Sequence, residues 1–474
     1  MRGVWPVDDV RAAESALMSR LPEGVLMQRA AHALSVHCGR MLGEIYGSSV
    51  VLLVGSGFNG GDAMHAGARL ARRGARVHAV LADPTKAHAG GLAALRRAGG
   101  VVAPAASALI GSADLVVDGL LGIGGRGGLR GVAVELADAA REKLTLAVDL
   151  PSGVDADTGS VGEHAIRADA TVTFGALKPG LVSGAGAQRA GEVRLVDIGL
   201  GPDLPAARTF VLEGSDVAAL LRRPDASDDK YTRGVVGVLA GSPSYPGAGV
   251  LATGAAVCGS GMVRYVGLVP DRIRARYPEV VVQAGAKAHE ARVQAWVAGP
   301  GLGTDEAAMS LLADVLQTAV PVIVDADGIT LVARAPELVR DRRAPTVLTP
   351  HDREFARLAG EGEPTADRIG SARRTAADLG VTLLLKGNAT VVAEPGGRAF
   401  ANPTGTPWLA TAGSGDVLSG LIGSLLAGGL EPGFAAAAGA YLHGVAGQLA
   451  AVGGPPTSAD VLDSLRAAYR TVGD

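Results

Sequence analysis

The residues best suited to chemistry in this chain stand in one glycine-rich segment that precedes an apolar run. Residues 409–420 read LATAGSGDVLSG, so Gly413, Ser414 and Gly415 come directly before Asp416. Glycine lets the backbone approach an anion closely, and a helix start offers unpaired N–H groups and the positive end of its dipole. A carboxylate in that first turn could take a proton from a hydroxyl, as phosphoryl transfer to an alcohol requires. The alternative is a glycine-rich helix start with Asp416 as an ordinary cap.

The composition predicts a soluble, multidomain protein that binds neither nucleic acid nor membranes. The chain has 474 residues, of which 48% are hydrophobic and 19% charged, enough for two or three domains with large cores. A net charge of −3 and an aromatic content of 3% argue against a nucleic-acid surface. Cys38 and Cys258 lack the spacing of metal ligands or redox pairs, so we expect free thiols. The N-terminal segment has early acids and no long apolar core, which favours a cytoplasmic location.

Strand-length apolar runs alternate with helical segments along the whole chain. This alternation predicts two α/β sandwiches, each with a parallel sheet covered by helices. The runs of the first half are 50–54, 77–81, 115–117, 144–148, 170–174 and 193–197. Those of the second half are 235–240, 293–298, 320–324, 346–349 and 381–385, followed by a hairpin over 391–401. A polar stretch with several prolines, 199–229, separates the halves, and we place the domains at 1–205 and 206–474.

Polar side chains follow several strands of the first half at the point where each strand ends. They are Asn59, Asp62, Asp118, Asp149 and Ser152. Because ligands bind at the carboxyl edge of open α/β sheets, we expect these side chains to meet there, and their oxygens suit an alkali or alkaline-earth cation. The glycine-rich segments 55–61 and 122–128 offer N–H groups to phosphates, or form no more than tight turns. No ribose-binding acid follows GSGFNG in register, so a hydride-transferring Rossmann domain is not favoured.

Three motifs in this half, taken in order, resemble the NAD(P)H-hydrate epimerase family (YjeF N-terminal type) over residues 8–203. They are Asn59-Gly-Gly-Asp62, Asp118-x-x-x-Gly-x-Gly and Asp149-x-Pro-Ser152-Gly. The resemblance implies a Rossmann-like three-layer sandwich in which Asn59, Asp118 and Ser152 bind K⁺. It also implies a site for the hydrated dinucleotide formed by Phe58, Asn59, Gly60, Gly61, Asp62, Gly122, Ile123, Gly124, Gly125, Arg126, Gly127, Gly128 and Asp149.

Asp149 is the residue that this resemblance marks as the acid or base for interconverting the two epimers at C6 of the hydrated ring. A carboxylate at a strand end facing a hemiaminal carbon suits that role. The sequence departs from the usual family pattern at Phe58, where asparagine is common, and at Ala63, where glycine is common. Backbone contacts tolerate both changes, but a side-chain contact at position 58 would be lost.

Polar loops follow strands in the second half as well. Lys386 is a point charge suited to a phosphate. His351 could hydrogen-bond an amide or a phosphate, or be structural. Asp325 and Asp327 could hold Mg²⁺ through water, or could cap a loop. Thr304 is expected to cap the helix that follows GPGLG.

These loops resemble the ribokinase superfamily and, more closely, the ADP/ATP-dependent NAD(P)H-hydrate dehydratase family (YjeF C-terminal type) over residues 208–470. The motifs are Tyr245-x-Gly-Ala248, Gly299-Pro-Gly-Leu-Gly303, Asp325-Ala-Asp327, Leu348-Thr-Pro-His351, Lys386-Gly-x-x-Thr390 and Thr411-x-Gly-Ser-Gly-Asp416. The resemblance implies a ribokinase-like domain that binds an adenine nucleotide through Lys386, Gly387, Asn388, Ala389, Thr390 and Gly415. It implies contacts to the hydrate from Ala248, Gly301, Gly303, His351 and Asp416. It further implies an anion hole at Gly413, Ser414 and Gly415, with Mg²⁺, although Ala412 stands where glycine is common.

Together the two resemblances predict an enzyme that repairs hydrated NADH or NADPH. The first half would interconvert the R and S epimers, and the second would dehydrate the S epimer at the expense of ADP or ATP, with Asp416 as the base. The composition and the fused arrangement lean toward ADP without excluding ATP. A small-alcohol kinase, with the first half as a nucleotide-binding module without turnover, is the alternative. The expected partners are small molecules, and a homo-oligomer is expected.

Overall fold

The computed structural model describes residues 1–104, 107–125, 127–283, 285, 287–360, 362, 364 and 366–473. Its contacts divide the chain into two compact units, Gly3–Arg208 and Thr209–Asp474, the latter together with Met1–Arg2. The division falls slightly after the boundary at 205/206 expected from the sequence. None of the helices in the described ranges is long and apolar enough to cross a membrane.

The N-terminal unit is a parallel sheet covered by helices. Its elements are β1 (Arg2–Val4), α1 (Val7–Met18), α2 (Val25–Leu42), β2 (Ser49–Val54), α3 (Phe58–Arg72), β3 (Arg76–Leu81), α4 (Ala89–Arg97), β4 (Val101–Ala103), α5 (Ser107–Gly111), β5 (Leu115–Gly119), α6 (Val132–Ala139), β6 (Thr145–Val148), β7 (Ala170–Phe174), α7 (Pro179–Val182), α8 (Gly184–Arg189) and β8 (Glu192–Val196). The sheet runs in the order β4-β3-β2-β5-β6-β7-β8, and every pairing in it is parallel. Its central strands β2 and β5 are buried throughout, as expected when helices cover both faces.

The C-terminal unit repeats this layered plan with a longer sheet. Its elements are β9 (Thr209–Val211), α9 (Gly214–Leu220), β10 (Val235–Leu239), α10 (Pro246–Gly259), β11 (Met262–Tyr265), α11 (Pro270–Arg276), β12 (Val281–Val282), β13 (Ala295–Ala298), α12 (Glu306–Leu316), β14 (Val322–Val324), α13 (Asp327–Arg334), α14 (Glu337–Arg340), β15 (Thr346–Leu348), α15 (Asp352–Ala359), α16 (Arg368–Leu379), β16 (Thr382–Leu385), β17 (Thr390–Ala393), β18 (Ala399–Asn402), α17 (Ser414–Ala427), α18 (Pro432–Ala450) and α19 (Ser458–Gly473). From β9 onward the strand order is β9-β18-β17-β16-β15-β14-β13-β10-β11-β12. The pairs β16–β17 and β17–β18 are antiparallel, and the other pairs in this series are parallel.

The helix α17, which begins in the segment GSGD, lies in the main core of this unit. It packs against α10 through small residues, and a Cβ atom at Gly420 would lie 2.1 Å from the carbonyl oxygen of Ala252. The core around it includes Val417, Leu421 and Ile422, each fully buried. The apolar run therefore forms the buried helix predicted from the sequence, and its packing holds the first turn in place.

The α/β prediction is confirmed for both halves, with differences at the short elements. The hairpin predicted over 391–401 forms from β17 and β18. The strand β11 was not predicted, because its four residues, Met262–Tyr265, end a small-residue segment that was interpreted as a turn and a helix. The cap predicted at Thr304 is wrong by one residue, since the Asp305 carboxylate accepts from the N–H of Ala308 at 2.8 Å.

Candidate active sites

The first candidate site lies where the strand order of the N-terminal unit reverses. The strand β2 lies between β3 on one side and β5 on the other. Open α/β sheets bind ligands at such a point. A Cβ atom at Gly55 would lie 1.8 Å from the carbonyl oxygen of Leu120, so only glycine fits where the two loops cross. Gly57, with φ of 97°, then starts α3. The glycine-rich turn therefore brings the first turn of α3 to the carboxyl edge of the sheet.

The three residues predicted to bind K⁺ converge at this edge. The Asn59 amide donates to the carbonyl oxygens of Leu121 and Val148, at 2.9 and 3.0 Å. Ser152 donates from its backbone N–H and its hydroxyl to the two carboxylate oxygens of Asp118, at 2.7 and 2.6 Å. Burial raises the pKa of Asp118 to about 6, although the hydrogen bonds from Ser152 act in the opposite direction. The grouping presents side-chain oxygens from the first turn of α3, the end of β5 and the loop after β6.

Asp149 forms a buried ion pair that the sequence reasoning missed. The ammonium group of Lys178 donates to Asp149 Oδ1 at 2.6 Å, and the Thr173 hydroxyl donates to the same oxygen at 3.0 Å. Lys178 also donates to the Phe174 carbonyl at 3.2 Å, and its side chain is 1% exposed. Asp149 is one of two non-glycine residues with positive φ among the described residues, at 67°. The only sequence signal for Lys178 is a single charge within the otherwise apolar run FGALKPGLV.

Two further carboxyl groups lie within electrostatic reach of this pair. Asp62, in the first turns of α3, is buried, and its Oδ1 atom has no hydrogen-bond partner among the described residues. Burial raises the pKa of Asp62 well above its usual range, and the charges of Asp149 and Glu14 raise it further. Burial also raises the pKa of Glu14, on α1, although the charge of Lys178 lowers it. Glu14 belongs to no motif, so the sequence did not indicate it.

The second glycine-rich loop borders a cavity of about 200 Å³. Residues that line it include Gly125, Gly127, Gly128, Gly153, Asp155 and Ser160. Gly127 and Gly128 have φ of 77° and 80°, a region that favours glycine. The Ile123 carbonyl accepts from Arg11 at 3.3 Å. Arg126, which was predicted to line the site, lies outside the described residues.

Phe58, at the departure from the family pattern, lies at the start of α3 and is 74% exposed. Its ring centroid is 6.4 Å from that of His88. Gly60 and Gly61 in the same turn are buried. The side chain at position 58 is therefore an exposed aromatic ring in place of a polar amide.

The second candidate site is built at the start of α17. Gly413 caps the helix with φ of 90°, and the Ser414 hydroxyl donates to the Leu409 carbonyl at 2.7 Å. Asp416 stands in the first turn and is half-buried. Burial raises its pKa to about 7, the charge of Asp325 adds to this effect, and Lys386 lowers it. A carboxyl with a pKa near neutrality is suited to act as a general base.

Lys386 is held beside this helix start by two acids. Its ammonium group donates to Asp325 Oδ1 at 2.7 Å and lies 3.7 Å from Glu354. Burial lowers the pKa of Lys386, but the charges of Asp325 and Glu354 outweigh that effect and raise it. The other oxygen of Asp325 accepts from the Ser419 hydroxyl at 2.7 Å, and Ser419 also donates to the Gly415 carbonyl at 3.0 Å. Lys386 is therefore tied through Asp325 to the first turns of α17.

The segment Lys386–Thr390 forms a compact loop at the end of β16. The Lys386 N–H donates to the Pro350 carbonyl at 2.9 Å, and the Thr390 hydroxyl donates to the Gly387 carbonyl at 2.9 Å. Arg368 donates to the Lys386 carbonyl at 2.7 Å and pairs with Asp352. Arg368 was not predicted, because it belongs to no motif and stands at the start of α16. Within the same loop, Asn388 approaches the segment before α17, since a Cβ atom at Gly405 would lie 2.0 Å from the Asn388 carbonyl oxygen.

His351 and Asp327 both have structural roles. His351 caps α15 and accepts through Nδ1 from the N–H groups of Arg353 and Glu354, at 3.1 and 3.2 Å. In the neutral ring the proton is therefore on Nε2, which can donate to a ligand. Asp327 accepts from the Gly303 N–H at 2.9 Å. This contact fits the loop-capping role expected of Asp327, and a water-mediated contact to Mg²⁺ stays a prediction.

The GPGLG loop and the start of α10 are in contact. Gly301 has φ of 58°, and a Cβ atom there would lie 2.8 Å from the Cβ of Ala248. The structure therefore places Ala248, in the first turn of α10, against the loop that carries Gly301 and Gly303, as predicted for residues that contact the hydrate. His443, on α18, was not predicted to belong to either site. It is buried, its Nε2 has no partner among the described residues, and burial lowers its pKa to about 4.

The comparisons with known proteins agree with both halves of this description. Residues 23–180 match the family model described as YjeF-related protein N-terminus, and residues 236–460 match the model described as NAD(P)H-hydrate dehydratase. A crystal structure of the ADP/ATP-dependent NAD(P)H-hydrate dehydratase of Bacillus subtilis, co-crystallised with ATP and Mg²⁺, is 30% identical, with a TM-score of 0.52. The matched region covers 56% of this chain and 100% of the Bacillus subtilis chain. A ribokinase-like superfamily protein of Enterococcus faecalis is 26% identical, with a TM-score of 0.50, and covers 57% and 98% of the two chains.

The fold and the two sites thus define a two-domain α/β protein with a ribokinase-like second domain. The bifunctional NAD(P)H-hydrate repair enzyme Nnr of Mycobacterium tuberculosis is 51% identical over 446 residues, which are 92% of each chain. The enzyme of the same name from Mycobacterium leprae is 50% identical over 97% of each chain. This chain belongs to the family of bifunctional NAD(P)H-hydrate repair enzymes. Because the similarity spans both halves, it favours the predicted repair enzyme for hydrated NADH and NADPH over a small-alcohol kinase.

Proposed function

We propose that this protein restores hydrated NADH and NADPH, epimerising the hydrate in its N-terminal unit and dehydrating the S epimer in its C-terminal unit with ADP or ATP. The observation that carries the proposal is the grouping of Asp416, Lys386 and the glycine-rich helix start. Asp416 is a base of near-neutral pKa, and the Lys386 ammonium group and the N–H groups at the helix start can bind phosphate. The similarity to bifunctional NAD(P)H-hydrate repair enzymes supports the same substrate class.

In the proposed dehydration, Asp416 takes the proton of the C6 hydroxyl while that oxygen attacks the terminal phosphoryl group of the nucleotide. The bond between the terminal phosphorus and the bridging oxygen breaks, and AMP or ADP leaves. Phosphate then leaves C6 as a proton is lost from C5, which restores the dihydronicotinamide ring. The N–H groups at Gly413–Gly415 hold the charge on the transferring group, and Lys386 holds the nucleotide phosphates.

Mg²⁺ fits this site as an ion that arrives with the nucleotide. Both oxygens of Asp325 are engaged, by Lys386 and by Ser419, and Asp327 holds the Gly303 N–H. These acids are therefore suited to contact a hydrated ion through water rather than to hold it directly. When bound, Mg²⁺ would neutralise charge on the transferring phosphoryl group.

The N-terminal unit offers a matching arrangement for epimerisation. We propose that Asn59, Asp118 and Ser152 hold K⁺ through oxygen, and that the glycine-rich loops bind the pyrophosphate of the hydrate. The oxygen donors fit an alkali cation, and one of them is the fully buried Asp118 carboxyl. Asp149, paired with Lys178, is the proposed acid or base at C6.

Dehydration is tested with the variant Asp416→Asn, which keeps the shape of the side chain but removes the base. NADH released from the S hydrate with ADP, or with ATP, should fall by a factor of about 10²–10⁴, the usual contribution of a general base. Asp463→Asn, at an exposed position of α19, is the matched control and should keep full activity. Unchanged NADH release by a folded Asp416→Asn variant would contradict the proposal.

A further inference from the structure

Asp62 is the one buried carboxyl in the N-terminal site for which the described residues provide no partner at one oxygen. It is 9% exposed, and its Oδ1 is enclosed without a hydrogen bond. No described cation forms an ion pair with it. Buried polar atoms in native proteins nearly always have partners, so an orphaned one calls for a specific explanation. An ionised carboxylate would be costly in this place.

Asp149 has the opposite environment. The ammonium group of Lys178 and the hydroxyl of Thr173 both donate to its Oδ1. The two acids are close enough for the charge of Asp149 to raise the pKa of Asp62. The charged groups around them are Glu14 and Arg11 on α1 and Lys178 before α7. The site thus keeps one carboxylate paired with a cation beside one carboxyl that favours its neutral form, the arrangement by which environments divide acid and base roles.

An epimerase that breaks and remakes one C–O bond needs a proton donor on one face of the ring and an acceptor on the other. We propose that Asp62 is the catalytic acid of the epimerase and works against Asp149 as the base, a step that rests on the proposed epimerisation. Asp62 gives its proton to the C6 hydroxyl. The C6–O bond then breaks, its electron pair goes to oxygen, water leaves, and the N1 lone pair forms the C6=N1 iminium ion.

A water molecule then adds to C6 from the opposite face. Its oxygen forms the new C–O bond, the iminium π electrons return to N1, and Asp149 takes the released proton. The ring is neither oxidised nor reduced, and one water leaves for each that enters. In the reverse direction Asp149 is the donor and Asp62 the acceptor, so that one pair of carboxyls serves both epimers.

The test is the variant Asp62→Asn in the full-length protein, with the separated R and S hydrates of NADH as substrates in water enriched in ¹⁸O. The wild type should incorporate ¹⁸O at the C6 hydroxyl as fast as it epimerises, because the entering oxygen comes from solvent. Asp62→Asn should lose both the exchange and the epimerisation by a factor of about 10² or more, with little change in KM. Asp8→Asn, exposed on α1, is the control and should match the wild type.

The dehydratase assay reports whether the variant is intact, since NADH release from the S hydrate should be unchanged in Asp62→Asn. Epimerisation at the wild-type rate in this variant would overturn the role of Asp62 while leaving the proposed function standing. Wild-type epimerisation without ¹⁸O incorporation would also overturn it, because the C–O bond would then not break. A wild type that epimerises neither hydrate would instead refute the proposed function.

Discussion

The rate of dehydration should depend on pH through the protonation of the Asp416 carboxyl group. A general base works only when deprotonated, and burial raises the pKa of Asp416 to about 7. The kcat/KM for the S hydrate should therefore fall as pH decreases below about 7 and level off above it. Asp327→Asn should move this acid limb to lower pH, because the charge of Asp327 helps to raise the pKa of Asp416. A profile that stays flat from about pH 5 to about pH 9 would be inconsistent with Asp416 as the base.

The ion pair between Lys178 and Asp149 gives a prediction for stability. Lys178→Met leaves the Asp149 carboxylate without its cation, and breaking a buried pair in this way costs about 3–5 kcal/mol. The thermal transition of the N-terminal unit should therefore move to lower temperature. The double variant Asp149→Asn/Lys178→Met should recover much of the loss, because the buried charge is gone. Equal destabilisation of the single and double variants would show that Lys178 acts through packing alone.

At the scale of elements, the contact between α10 and α17 sets the position of the dehydratase helix. A Cβ at Gly420 would lie 2.1 Å from the Ala252 carbonyl oxygen, so Gly420→Ala must push the two helices apart. Overpacking of this kind costs about 1–3 kcal/mol. The melting temperature should fall, and the kcat for dehydration should fall with it, since the first turn of α17 carries Asp416. Gly428→Ala is the control, because a Cβ there comes no closer than 3.4 Å to any neighbour. Similar behaviour of the two variants would argue against this contact.

The sequence predicted those site residues that stand in a recognisable local pattern, directly after a strand. The apolar runs marked the strands, and the loops at their ends carried Asn59, Asp118 and Ser152, which the structure brings together. Lys178 and Arg368 were missed, because their partners depend on how distant segments pack and no local pattern marks them. The orphaned Asp62 oxygen was also beyond reach, since the sequence shows which groups are polar but not which remain without a partner.

At the scale of the whole molecule, the two proposed activities belong to separate units of one chain. Asp416→Asn should abolish dehydration and leave epimerisation at the wild-type rate. Asp149→Asn should do the reverse, so that the S hydrate is still converted to NADH. Both variants preserve side-chain shape, and each serves as the folding control for the other. A parallel loss of both activities in either folded variant would refute this division of labour.

The proposed function is tested most directly by the near-ultraviolet absorbance of NADH regenerated from a mixture of both hydrate epimers, with excess ADP or ATP, Mg²⁺ and K⁺. If both units work as proposed, the NADH formed equals the total hydrate supplied, and Asp149→Asn releases only the S fraction promptly. If the wild type also stops at the S fraction, the N-terminal unit does not epimerise the hydrate and the central claim is wrong.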